Sequence, residues 1–121
     1  MPMMKFGKNY PKRGEVFIAD LRPASGREIH KVRPVVVLSN NILNRTLPVV
    51  LVAPFSSIVP QFVGPDVVKI GSEELEIAKE SVILPSHMRA LDKDRLVKRV
   101  GALSKQKLGE LETSIRIVLS I

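Results

Sequence analysis

Short apolar runs separated by proline and glycine dominate the chain as far as residue 85. Val16–Ala19 is stopped by Asp20 and Pro23; Pro34–Leu38, Val49–Ala53, Val67–Ile70 and Ser81–Leu84 follow, the last closed by Pro85. Their β-branched residues suit a pleated, buried environment. Short strands with such punctuation between them predict a small β-barrel or strongly bent sheet. The period changes near the C-terminus. From Ser104, an N-cap residue, Leu108, Leu111, Ile115 and Val118 or Leu119 recur at three- and four-residue spacing. Lys105, Lys107, Glu110, Glu112 and Arg116 lie mostly off that stripe, which predicts an amphipathic helix packed on the sheet. Gly109 weakens the helix by about 1 kcal/mol relative to alanine without overturning it. Asp92–Leu96 is compatible with a single capped turn, and Val97–Leu103 stays undecided between strand and coil.

At 121 residues, with 45% apolar and 26% charged positions, the composition is that of one packed domain. No internal repeat, low-complexity tract or Gly/Ser-rich linker divides it. Residues 1–12 read as a basic N-terminal leader and 13–121 as a single domain. Three readings of the leader stay open: a disordered arm, an addition to a binding surface, or a start-site extension. Thr46 to Pro65 is a run of twenty residues without a charge, the length of a membrane span. Pro48, Pro54, Pro60 and Pro65 interrupt it, and a proline inside a helix costs about 3 kcal/mol. Met1 to Arg13 has no apolar core of a secretory signal. The expectation is a cytoplasmic protein without a membrane partner.

Charge then narrows the chemistry. Nineteen Lys and Arg against twelve Asp and Glu leave a net +7, which points to an anionic partner: nucleic acid, an acidic protein or a membrane surface. The excess is concentrated in residues 1–33, with eight basic and three acidic side chains, whereas residues 66–80 carry a net −3. The absence of cysteine excludes disulfides, thiol nucleophiles and cysteine-held zinc, and with only His30 and His87 no site of several imidazoles can form within one chain.

Two segments combine polar residues with tight constraint. Asp20 to Pro34 is a loop between strands with four basic residues, two acids and a histidine, ending in Arg33 against Pro34 and the apolar strand. Arg33 is thus tied to a stiff element while its side chain can reach over the loop. Pro54-Phe55-Ser56-Ser57 puts two small hydroxyls at the end of the third strand. Basic loops and serine-initiated turns are common without any site.

Arg13-Gly14-Glu15-Val16, Asp20-Leu21-Arg22-Pro23, Gly26-Arg27-Glu28 and Val32-Arg33-Pro34-Val35-Val36-Val37 together resemble the MazF/PemK (Kid) toxin family. The likeness continues through Asn44-Arg45, Val52 to Ser57, Met88 to Leu96 and Gly101 to Ser104, in collinear order over about residues 13–120. The resemblance implies a mainly β fold with a C-terminal α-helix, an SH3-like small barrel of the MazF/Kid/CcdB type, paired as a homodimer. It implies a sequence-selective endoribonuclease that needs no metal or other cofactor. Such a toxin cleaves single-stranded RNA by attack of the ribose 2′-hydroxyl on the adjacent phosphate, leaving a 2′,3′-cyclic phosphate. The implied partners are single-stranded RNA, a MazE-like antitoxin with an acidic disordered tail, and operator DNA reached through the antitoxin complex.

Carried over residue by residue, Arg33 matches the family's catalytic arginine before proline. Its forked donors suit a phosphorane, and charge stabilisation fits a guanidinium better than general-base work. Ser56 falls where relatives carry threonine and keeps the hydroxyl donor; Ser57 is the alternative one residue on. Glu28 matches the acid of the first loop, able to orient Arg33 or accept the 2′-hydroxyl proton. Asp20, Arg22, Arg27 and Lys31 are candidates for substrate contact, with His87 and Arg89 beyond the fifth strand. Aromatic residues are scarce (Phe6, Tyr10, Phe17, Phe55, Phe62); Phe17 reads as core, while Phe55 and Phe62 flank the hydroxyl loop and are open to two readings, core packing or surfaces on which bases could stack. Kid-like members use a histidine after the loop glycine and an arginine and an aspartate near the fifth strand's end. Arg27, Leu84 and Ser86 stand there instead, which leaves the MazF-style set around Arg33 and Ser56. The rival readings are a CcdB-like gyrase poison and a non-catalytic nucleic-acid-binding module on the same fold.

Overall fold

The computed structural model describes residues 9–22 and 32–121. Seven strands, β1 (Glu15–Asp20), β2 (Val32–Val37), β3 (Val49–Ser56), β4 (Val68–Ile70), β5 (Ser81–Ile83), β6 (Arg89–Asp92) and β7 (Leu96–Ala102), pair antiparallel in the order β4-β5-β3-β2-β1-β7, with β6 also on β3. A short helix α1 (Asn41–Thr46) joins β2 to β3, and α2 (Lys105–Leu119) closes the chain. The uncharged run from residue 46 to residue 65 spans the last residue of α1, β3 and the loop after it.

Why the strands read as unbroken apolar runs is visible in the burial. Successive residues of β1 and β2 serve two different clusters, one on each face of the bent sheet. Val16, Val36, Ala53, Phe55, Val68, Ile70, Ile83, Val100 and Leu111 form the first, covered by Leu108 and Ile115 of α2. Phe17, Ala19, Leu21, Val35, Val37, Val50, Val52, Leu91 and Leu96 form the second. A strand buried on both faces has no polar alternation to show.

The helix α2 starts as expected: Ser104 Oγ accepts from Lys107 N at 3.1 Å, and Ser120 ends it in the left-handed region at φ 58°. Val118 continues the half-buried stripe and Leu119 is exposed. The undecided segment Val97–Leu103 is mostly strand. Two register shifts against β1 leave Val97 and Val100 without partners there, and such bulges add local bend and twist. Residues 93–95 form the single turn expected within Asp92–Leu96, but the Asp92 side chain does not cap it. The sequence pattern had not indicated α1 or β6.

Between β2 and β3, buried polar groups form a closed network. Ser39 Oγ bonds Asn44 Oδ1 and accepts from Leu51 N at 3.0 Å, while Asn44 Nδ2 donates to Ser39 O at 2.8 Å. Asn44 is 0% exposed, so the Asn-Arg pair of the family resemblance includes a structural asparagine. Each of these groups is satisfied inside the protein.

Candidate active site in the fork between β2 and β3

The two central strands pair only through Val37↔Val52, Val36↔Ala53 and Val35↔Pro54. Beyond that point β3 turns to β5, with Phe55 opposite Ile83 and Ser56 opposite Val82. Pro54 has no N–H to continue a ladder, and its carbonyl accepts from Leu84 N at 2.9 Å. The strands therefore fork. Continuing the register count puts Arg33 across the fork from Ser56. On its other side Arg33 pairs with Ala19 of β1.

A crevice of about 390 Å³ opens at the fork, lined by Val32, Arg33 and Pro34 of β2, Phe55 and Ser57 of the β3 end, Ser81 of β5, Ile18, and the segment Glu76–Lys79. Arg33 is half-buried, and its Nε lies out of contact with solvent without a hydrogen-bond partner among the described residues. Among the described residues it forms no ion pair. A buried donor without a partner costs about 1–3 kcal/mol, more when charged. A bound anion would offset that cost.

The hydroxyls divide. Ser56 is 8% exposed, and its Oγ accepts from Ile58 N at 3.2 Å, which leaves its own O–H free to donate. Ser57 is exposed and lines the crevice. Phe55 is 1% exposed and belongs to the core cluster. That decides for core packing and against a stacking surface there, since its place in β3 turns it to the same face as Ala53. Phe62, in the loop after β3, is 85% exposed and free to stack.

At the end of β1, Asp20 and Arg22 hold each other rather than standing free. Arg22 Nε donates to Asp20 Oδ1 at 3.0 Å and Nη2 to Oδ2 at 3.1 Å. The hydrogen bonds from Arg22 lower the Asp20 carboxyl to about 2, and the same pair raises Arg22. Arg95 adds donors to the carbonyls of Asp20 and Arg22. His87 sits in a turn of 3₁₀ helix, Pro85–His87, and Arg89 begins β6 opposite Val52. Neither is among the residues that line the fork crevice. Arg27, Glu28, His30 and Lys31 lie outside the described residues. Glu76, Lys79 and Ser81 are crevice residues that sequence reasoning missed; the only signal was the net −3 of residues 66–80 in a basic chain.

The comparisons with known proteins agree with this architecture. A family profile described as PemK-like, MazF-like toxin of type II toxin–antitoxin system matches residues 12–119. An endoribonuclease MazF of Staphylococcus saprophyticus is 36% identical over 110 residues, covering 91% of this chain and 92% of that protein. The crystal structure of MazF from Deinococcus radiodurans superposes with a TM-score of 0.79 at 22% identity, covering 93% and 98% of the two chains. A MazE–MazF complex from the same organism gives 0.74 at 22% identity, covering 93% and 97%. The forked sheet, its C-terminal helix and this extent of sequence identity thus lead to one assignment: the chain belongs to the PemK/MazF-like family, the endoribonuclease toxins of type II toxin–antitoxin systems.

Proposed function

We propose that the fork crevice is where this toxin cuts single-stranded RNA, with Arg33 as its central catalytic group. The observation that supports this most directly is the buried Nε of Arg33, which has no hydrogen-bond partner among the described residues. In the proposed step the ribose 2′-oxygen attacks the adjacent phosphorus, the bond from phosphorus to the 5′-oxygen breaks, and a 2′,3′-cyclic phosphate remains. The 2′-hydroxyl gives up its proton and the leaving 5′-oxygen gains one. Arg33 stabilises the doubly charged phosphorane through forked hydrogen bonds. Ser56, across the fork, donates its free O–H to a non-bridging oxygen, and Ser57 contacts the strand within the crevice. Glu28 accepts the 2′-hydroxyl proton or orients Arg33. Arg27 and Lys31 contact phosphates. Arg22 is less free to do so, because Asp20 already neutralises it; the pair instead shapes the end of β1. His87 and Arg89 serve the same strand beyond the crevice.

The acting unit in this reading is residues 13–121 as one domain, with the basic leader outside it, assembled as a homodimer. The relatives solved as toxin–antitoxin complexes support a MazE-like antitoxin as partner; in this reading its acidic tail covers the same basic surface. Operator DNA would be met through that complex. The test is incubation of the purified protein with a long RNA in EDTA, with end-group analysis. Discrete cuts bearing cyclic phosphates, lost in Arg33→Ala, support the proposal. Salt-sensitive binding without cuts, or gyrase inhibition without cuts, overturns it.

A further inference from the structure

The crevice holds a carboxylate that phosphate chemistry does not explain. Four glutamates fall between Gly71 and Glu80. Glu74 is spent on its own turn, its Oε2 accepting from Gly71 N at 2.7 Å, and Glu80 pairs with Lys69 at 3.5 Å. Glu73 folds back over Gly71. Glu76 alone of the four lines the crevice, and it has no ion-pair or hydrogen-bond partner among the described residues.

Its position is fixed from both sides. Leu75 and Ile77 pack against the core cluster, and Ile77 N donates to Leu75 O at 2.8 Å. Gly101 of β7 makes room for this: a Cβ there would lie 2.8 Å from Leu75 Cδ2. Glu76 is thus held at the rim between two anchored neighbours, in the same crevice as Arg33, and the two opposite charges do not pair.

We infer that Glu76 is a specificity-determining residue that accepts hydrogen bonds from the Watson–Crick edge of one base beside the cut. The inference rests on the RNA-cleaving reading of the crevice. An ionised carboxylate only accepts, and it repels the phosphates that Arg33 attracts. The donors that RNA offers it are therefore base edges, which single strands leave open. Guanine fits best, because its N1–H and N2–H lie side by side and meet both carboxylate oxygens. Cytosine and adenine offer one amino group. Uracil is worst, since its N3–H stands between two carbonyl oxygens that repel the carboxylate.

The test compares the native chain with Glu76→Gln, an exposed position where the amide keeps the shape. Cut sites on a long mixed-sequence RNA are mapped for both. Binding of 2′-deoxy-substituted oligonucleotides, uncleavable at the cut and differing only in G or U at the selected position, is measured by anisotropy. The native chain selects G over U at one fixed position next to the cut. Glu76→Gln lowers that preference about tenfold or more and leaves the other positions of the motif unchanged. A variant that cuts or binds every sequence faster by one common factor makes Glu76 a general electrostatic brake and overturns the inference. So does an unchanged profile; in both cases the nuclease reading stands. If the native chain cuts no RNA, the nuclease reading falls and the inference with it.

Discussion

The two ends of β2 treat buried polar groups in opposite ways. Just past its C-terminal end, Ser39 and Asn44 exchange hydrogen bonds with each other and with Leu51 until nothing is left over. Near its N-terminal end, Arg33 keeps a buried Nε with no hydrogen-bond partner among the described residues. The same strand thus carries one polar set completed by the fold and one left for something outside it. Polarity and burial alone do not mark a site; incompleteness does, because native structures otherwise satisfy such groups.

Removing the incomplete end separates the two roles most sharply. Arg33→Ala should lower single-turnover RNA cleavage by about 10³-fold or more, with the melting temperature held or raised, as no side-chain bond among the described residues is lost. A large fall in melting temperature would place Arg33 with the structural groups. Asn44→Ala should do the reverse. It orphans Ser39 and should cost about 2–3 kcal/mol in denaturant unfolding, while the folded fraction cleaves at the native rate.

The serines sharpen the boundary within the fork. Ser56→Ala should reduce kcat about 10- to 100-fold, that is about 1.4–2.8 kcal/mol of barrier, whereas Ser57→Ala should act mainly on KM and by less than about tenfold. Equal kcat losses would mean that both hydroxyls reach the phosphate. The smallest effect belongs to the exposed Asp20–Arg22 pair, which is neither buried nor orphaned. With the Asp20 carboxyl held at about 2, its contribution is present above the ordinary carboxylate range and is lost as pH falls through about 2. The stability difference between the native chain and Asp20→Asn should be flat from about pH 5 to 8, fade toward pH 2, and shrink in salt.

Much of this was legible in the sequence for a definable reason. Strands β1 to β3 announced themselves because two clusters consume alternate residues, leaving runs such as Val35-Val36-Val37 entirely apolar, and β4 and β5 through β-branched residues that feed the first cluster. The helix α2 buries one face only, so its period survived. By contrast, β6 buries only Leu91, and α1 exposes Ile42 and Leu43 while burying Asn44; neither leaves a pattern to read. In β7 the bulges at Val97 and Val100 scramble the alternation. Arg33 and the serines were visible because the family resemblance singles them out and because they adjoin strand ends. Glu76 was not, since only the turn around Leu75 and Ile77 carries it to the fork. Phe55 stayed open between core and surface in the sequence because its burial depends on β3 running past the expected Ala53 to Ser56.

The fork also sets a time at which the chain can become dangerous. One wall of the crevice is the β3 end, which turns away from β2 to pair with β5 at residues 82 and 83. The rim at Glu76 rests on Leu75, which packs against Gly101 of β7, and β7 closes onto β1. A ribosome must therefore have made most of the chain before the two arms of the fork can hold their places. A partly synthesised toxin has Arg33 and Ser57 early, yet no crevice between them.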